Sequence, residues 1–449
     1  MIIRHEVGVP SLKRILILLF SVLPACLILL SCGYSAPSGT GGGSGLKYRA
    51  FFTNGVSAGT GFAGVYIVDA AKDLRAPVGP ISVGNTPGMM VLTPNRALTL
   101  VFSGNGTQFS DNQFTVINNA TETAIGHQTL PGLTDSFVVS PDGSAAFIAM
   151  PTAPVIGQSP GVVKAISLST GSFTGEVDIP SAHYLSIDNG GNRILAFSDN
   201  SDSVAVITPS NIGIGNAVTT VGGFDRPVAA FFSSDDNTAY VVNCGAECGG
   251  TTASVQQLNL TNNTLASYVA VCTPGTTQCA GSVALVNGST MYLAGTPYSG
   301  GVPSQACTGQ TTAATTCGLL TIVDLSSMTV TNTAPIIITD GYHNRIALGA
   351  NGQLFVGART CTEITPPVPP PSGAETRGCL SIYNTQTGAV IIPPANGDAT
   401  GIQPIATRAV VYVVQGGTLG IYDTKTDALQ SRQITNLIGQ FIDVKTIDF

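Results

Sequence analysis

The chain has 449 residues, a formal charge of −7, only 10% charged residues, 53 glycines, 27 prolines and no tryptophan. That charge density excludes a disordered acidic chain, a basic nucleic-acid binder and a coiled coil. Abundant Val, Ile, Thr, Gly and Asn instead predict many short strands joined by turns, an all-β protein long enough to bury a large core.

At the N-terminus, Arg4, Lys13 and Arg14 precede an apolar run over residues 15–30 that is short for a bilayer span, so residues 1–31 read as a signal peptide. The run ends in Leu29, Leu30, Ser31 and Cys32, with an apolar residue three before the cysteine and a small one just before it. This resembles the bacterial lipobox. The resemblance implies cleavage before Cys32 and diacylglycerol on its sulfur, so that acyl chains hold the protein to the membrane. An ordinary secretory signal or an uncleaved anchor is the alternative. Gly33 stands where enteric inner-membrane lipoproteins carry Asp, which favours the outer membrane, facing the periplasm or the cell surface. Residues 32–46, rich in Gly and Ser, form a tether, and 47–449 the folded body. Loss of the leader removes three cations and one anion, taking −7 to −9, and so acidic a body is not expected to lie on anionic lipid.

Beyond the tether a three-part unit recurs: an apolar strand ending at a turn, a second strand centred on an aromatic or large aliphatic residue, and a third ending in Asp, Asn, Ser or Thr. Residues 137–140, the turn Pro141-Asp142-Gly143, 146–149 and 165–168 show it most clearly. The central residues Phe147, Leu195, Tyr240, Tyr292, Phe355 and Tyr412 fall 45 to 63 apart, the spacing of propeller blades with loop insertions. A further copy spans 90–118. At the start of the body, residues 49–54 and 65–69 read as second and third strands with no first, while 441–449 reads as a strand with nothing after it. Pairing the two ends closes a ring and removes the open sheet edges. The expectation is one β-propeller of eight blades, with seven as the alternative.

Tyr240-Val241-Val242-Asn243, Tyr66-Ile67-Val68-Asp69 and Ile421-Tyr422-Asp423 give the chain its resemblance to the YVTN-type β-propeller repeat, across most of residues 48–449. Known members mostly have seven blades. The eight-bladed quinoprotein repeat normally carries a Trp in each blade, and this chain has none.

Eight cysteines remain in an exported body, an even number suited to an oxidising compartment. Neighbouring pairs are proposed: Cys244 with Cys248, Cys272 with Cys279, Cys307 with Cys317, and Cys361 with Cys379. Three would staple second-to-third-strand connections, and all four fall on one face. Two long insertions, 295–318 and the proline-rich 359–378, belong to that face, and loops on a rigid scaffold are where binding resides. The spacing of Cys244 and Cys248 is not that of a zinc site, and no haem-attachment motif occurs.

Aligning blades on the second-strand centre places Asp135, His183, Val228, Ala280 and His343 at one equivalent position, at the mouth of the central channel. Tyr184, Asp225, Arg226, Tyr342, Asn344, Arg345, Gln403 and Gln440 lie near it in sequence, and together they predict a polar ligand site at the rim. A His/His/Asp metal site would require side chains from blades 3, 4 and 7 to reach across a wide channel, so neither a metal nor a cofactor is expected. Gly59, Gly61 and Gly64 match a dinucleotide-binding pattern, but a strand follows rather than a helix. No nucleophile, base and orienting group can be assembled. The sequence therefore favours a monomeric cell-envelope lipoprotein that binds a protein, peptide or surface polymer through its disulfide-bearing face. The alternative is a lactonase-like hydrolase with a polar or metal site at the channel mouth.

Overall fold

The computed structural model describes residues 43–55, 62–104, 111–272, 278–297, 317–362, 378–430, 434 and 439–448. Cys32, Cys307, most of both long insertions and the glycine-rich stretch 56–61 lie outside them.

Eight antiparallel sheets make the ring, each of at least four strands in meander order. Their inner strands, blades 1 to 8, are Phe441–Thr446, Pro87–Leu92, Ser136–Val139, Ala182–Ile187, Pro227–Phe232, Val283–Asn287, Tyr342–Leu348 and Ala399–Ile405. Blade 6 carries one more strand, Ile336–Ile338, paired to Gly318–Asp324. The eight-blade count holds, and the seven-blade alternative is excluded.

The strands form where the sequence alternates β-branched or aromatic residues with small ones, and the turns form where a short polar side chain can replace a backbone partner. In blade 3, Ser140 Oγ donates to Asp142 at 2.5 Å, Ser144 N donates to the same carboxylate at 3.0 Å, and Gly143 takes φ +71°. Those bonds lower the Asp142 pKa to about 2. Ser233 with Asp235 in blade 5, and Thr93 with Asn95 in blade 2, repeat the device.

A single blade buries only one edge of its apolar surface, so the core is distributed between neighbours. Phe52, Tyr66, Tyr412 and Phe441 pack together between blades 8 and 1, with Phe441 edge-on to both Phe52 and Tyr66. The ends of the chain meet as expected: Ala50 pairs with Thr446, Phe52 with Val444 and Asn54 with Phe441. Polar clasps reinforce the seam. Arg408 of blade 8 donates to both oxygens of the buried Asp73 of blade 1, at 2.5 and 2.8 Å, and Tyr412 Oη donates to the same carboxylate. Arg49 grips Asp448 at 2.6 Å and Glu122 of blade 2 at 2.9 Å.

Candidate functional site

Antiparallel order puts the starts of the inner strands, the ends of the second, the starts of the third and the ends of the fourth at one end of the ring. Cys244 and Cys248 follow the second strand of blade 5, Thr238–Asn243, and are bonded to each other. Cys272 and Cys279 bridge the passage from blade 5 to blade 6. Cys361 and Cys379 join the second and third strands of blade 7. These three pairs are as expected, and all sit at the end where the inner strands begin. Cys317 is disulfide-bonded, and its expected partner lies outside the described residues.

At that end a cavity of about 380 Å³ opens between blades 4, 5 and 7, lined by His183, Tyr184, Ser198, Asp199, Asn200, Arg226, Val228, Cys248 and Tyr342 among others. His183 and Tyr184 follow Ala182 at the start of the inner strand of blade 4, where a register shift between Ala182 and Tyr184 makes His183 the bulged residue. The bulge lets two successive side chains lie together, with the rings stacked at 4.0 Å and 10° between planes. His183 Nδ1 is 2.6 Å from Asp199 Oδ1, and Nε2 is 3.5 Å from Asp135 Oδ2. The first is a hydrogen bond. The second is an ion-pair approach too long to count as one, and Nε2 is buried without a hydrogen-bond partner. Burial disfavours the imidazolium, but Asp135 and Asp199 outweigh it, so the His183 pKa stands above its ordinary value. The same contact with His183 holds the Asp135 carboxyl below the usual range, outweighing its partial desolvation.

Tyr184 and Tyr342 close the arrangement. Their hydroxyls meet at 2.5 Å, from blades 4 and 7, which are not neighbours in the ring. The channel that the sequence predicts to be wide is therefore spanned by one side-chain pair at its mouth. Burial, with each hydroxyl facing the other, pushes the Tyr184 ionisation upward, and burial raises that of Tyr342.

Arg226 occupies the left-handed region, φ +56°, just before the inner strand of blade 5. Its Nε is buried without a hydrogen-bond partner, Nη1 is 3.6 Å from Asp202, and Nη2 donates to Gly249 O at 3.4 Å.

Other expected rim residues stand elsewhere. His343 does not reach the mouth: its side chain is buried, Nε2 is 3.0 Å from Thr339 O, and desolvation lowers its pKa to about 4. The reason is turn length. Eight residues separate Ala347 from its strand partner Phe355, whereas nine separate Ser186 from Leu195 and Phe231 from Tyr240. Counting back from the strand centre therefore overshoots by one in blade 7, and the counterpart of His183 at the bulge is Asn344. Asn344 Oδ1 is buried without a partner. Arg345 ties blade 7 to blade 8 through Thr400 O at 2.9 Å. Asp225 pins the disulfide-bearing loop by accepting from Thr251 N at 2.9 Å and Thr252 N at 2.7 Å, and does not line the cavity. Gln403 lies further along its strand and donates to Pro404 O at 3.0 Å. Ala280 is fully buried, and Gln440 is exposed beside the closing strand.

Asp199 and Asn200 escape sequence reasoning because they belong to a loop with no motif, although that loop follows a second strand and so falls on the expected face. Glu247, within the short 3-10 turn Gly245–Cys248, was missed as well. It accepts from Ser282 Oγ and Thr296 N, each at 3.0 Å, and burial raises its pKa to about 7 despite those bonds. Among the described residues, no group of three His, Cys, Asp or Glu side chains is arranged as a metal site.

Fold and site together define an eight-bladed propeller with a polar, histidine- and arginine-lined cavity at one mouth of its channel. No family model matches the chain, and no curated protein does. Among solved structures, it is similar to the dihydro-heme d1 dehydrogenase NirN in complex with DHE, at TM-score 0.55 and 12% identity over 93% of this chain and 78% of that one. Two others are a putative 6-phosphogluconolactonase from Bacteroides fragilis (TM-score 0.48, 12% identity, 90% and 98% covered) and the periplasmic gluconolactonase of Pseudomonas aeruginosa (TM-score 0.46, 15% identity, 89% and 99% covered). At such identities the likeness is one of fold, and propellers host many unrelated activities.

Proposed function

We propose that this chain is a cell-envelope lipoprotein of the YVTN-type repeat, anchored through Cys32, whose propeller binds a partner protein, peptide or surface polymer by its disulfide-bearing face. The observation that carries the reading is the position of Cys248: the Cys244–Cys248 bridge stands on the wall of the cavity that also holds His183, Arg226 and Tyr342. A rigid loop beside a concave polar site is the arrangement of a recognition surface. A photo-crosslinking residue placed at Asn200 in the intact cell envelope is expected to capture a defined species. The same residue at Asn95, in the turn at the opposite end of the ring, captures none. Equal capture from both ends, or none from Asn200, overturns the reading. For the anchor, Cys32→Ala should move the protein from the membrane to the soluble fraction and abolish labelling with radioactive palmitate.

One observation favours the hydrolase alternative: Asp199 holds His183 through Nδ1, as a base is oriented, and both residues line the cavity. Hydrolysis of aldonolactones by the purified protein, lost in His183→Ala, would establish that alternative. Absence of turnover would leave His183 a binding residue.

A further inference from the structure

Two residues that line the 380 Å³ cavity each carry a buried nitrogen without a hydrogen-bond partner, Nε2 of His183 and Nε of Arg226. An unmet buried donor carries its full desolvation penalty, and a guanidinium more than a neutral group. Arg226 holds this place with a left-handed backbone, a conformation that disfavours any residue with a Cβ and that persists where the surroundings impose it. Its remaining contacts are weak, with Asp202 at 3.6 Å and Gly249 O at 3.4 Å. The stacked His183 and Tyr184 rings and the Tyr342 ring, 40% exposed, supply a flat apolar surface beside the donors.

We infer that the cavity is a carboxylate-binding subsite, in which the acid group of a peptide or of an acidic sugar accepts from Arg226 Nε and His183 Nε2 while the body of the ligand lies against Tyr342. This rests on the binding reading above and names the chemistry that the face recognises. A carboxylate accepts from a guanidinium N–H more strongly than a hydroxyl does, because charge-assisted hydrogen bonds are the stronger kind. Asp135 is the natural competitor: its carboxylate stands 3.5 Å from Nε2 on a side chain 67% exposed, and a ligand acid would displace it. Asp199 stays, as the partner that orients the ring.

The chain contains four histidines, His5, His127, His183 and His343, so imidazole resonances of the full-length protein give a site-specific readout. Titration with glucuronate and with N-acetyl-alanyl-alanine is expected to shift the His183 Cε1 resonance saturably, with His127 and His343 unmoved. Glucose and the peptide amide leave all of them in place. Which acid binds more tightly tells a sugar source from a peptide source. Arg226→Ala should weaken the tighter acid about tenfold or more, and Asp135→Asn should strengthen it by removing the competitor. Three results overturn the subsite: neutral and acidic probes shifting His183 alike, inorganic phosphate shifting it while neither carboxylate does, or no shift at all. A neutral probe that binds keeps the face as a binding surface while ending the carboxylate assignment. No shift at His183, with crosslinking from Asn200 retained, ends this subsite alone.

Discussion

The charge on His183 is set by a contest between burial, which opposes the imidazolium, and Asp135 and Asp199, which hold it. Since its folded pKa stands above the ordinary 6.5, the stabilisation from these ion pairs is complete below that value and fades as pH rises through the folded pKa. Asp199→Asn is expected to bring the His183 titration down, read by imidazole resonances, and to cost more stability at pH 5.5 than at pH 8.5. Equal losses at both would exclude an ion-pair role. Glu247 runs the opposite way. Burial raises it to about 7, so between the ordinary 4.5 and about 7 the unfolded chain gives up its proton first and the fold loses stability. Glu247→Gln should therefore stabilise the protein by roughly 1–3 kcal/mol at pH 8 and change little at pH 4, a difference that denaturant unfolding at the two pH values measures.

At the scale of strands and loops, the disulfides whose two cysteines are both described close loops of different span. Cys361 and Cys379 are 18 residues apart and Cys244 and Cys248 only 4. On chain-entropy grounds the first bridge contributes about 3 kcal/mol and the second about 2. Replacing the Cys361/Cys379 pair by serine should thus lower the melting temperature more than replacing Cys244/Cys248, while the shorter pair, on the cavity wall, should affect binding more. The strands themselves were legible because alternation and turn chemistry are local properties of Ser140, Asp142 and Gly143 and their counterparts. The site was legible only in part. His183, Tyr184 and Arg226 fall where the repeat places them, but one missing residue in the turn of blade 7 moves His343 into the core and sets Asn344 at the bulge. Asp199 carries no pattern of its own. The contact of Tyr184 with Tyr342 joins positions 158 residues apart, and nothing local in either strand announces it.

For the whole molecule, closure of the ring rests on one seam, and its clasp is buried. Arg408→Ala would leave the Asp73 carboxylate, 1% exposed, without its main cationic partner, an arrangement that typically costs about 3–5 kcal/mol. Phe52→Ala, at the apolar centre of the same seam, should cost about the same by cavity formation. Truncation after Gly439 removes the inner strand of blade 1 entirely and exposes the edge of Arg49–Asn54. Size-exclusion chromatography should then show aggregates in place of a compact monomer. If the truncated chain stays monomeric and resists protease, the seam is dispensable.

A closed circle of modules, each touching only the two beside it, deforms most easily by flattening into an oval, since such a distortion needs only small hinge rotations at every joint. The hydroxyl bond between Tyr184 and Tyr342 is a chord across that circle. It resists flattening along its own diameter and lets a disturbance in blade 4 arrive at blade 7 without passing through blades 5 and 6. Tyr342→Phe cuts the chord with almost no change in volume, so amide exchange should quicken in the inner strand of blade 4, far away along the chain, while the intervening blades keep their protection.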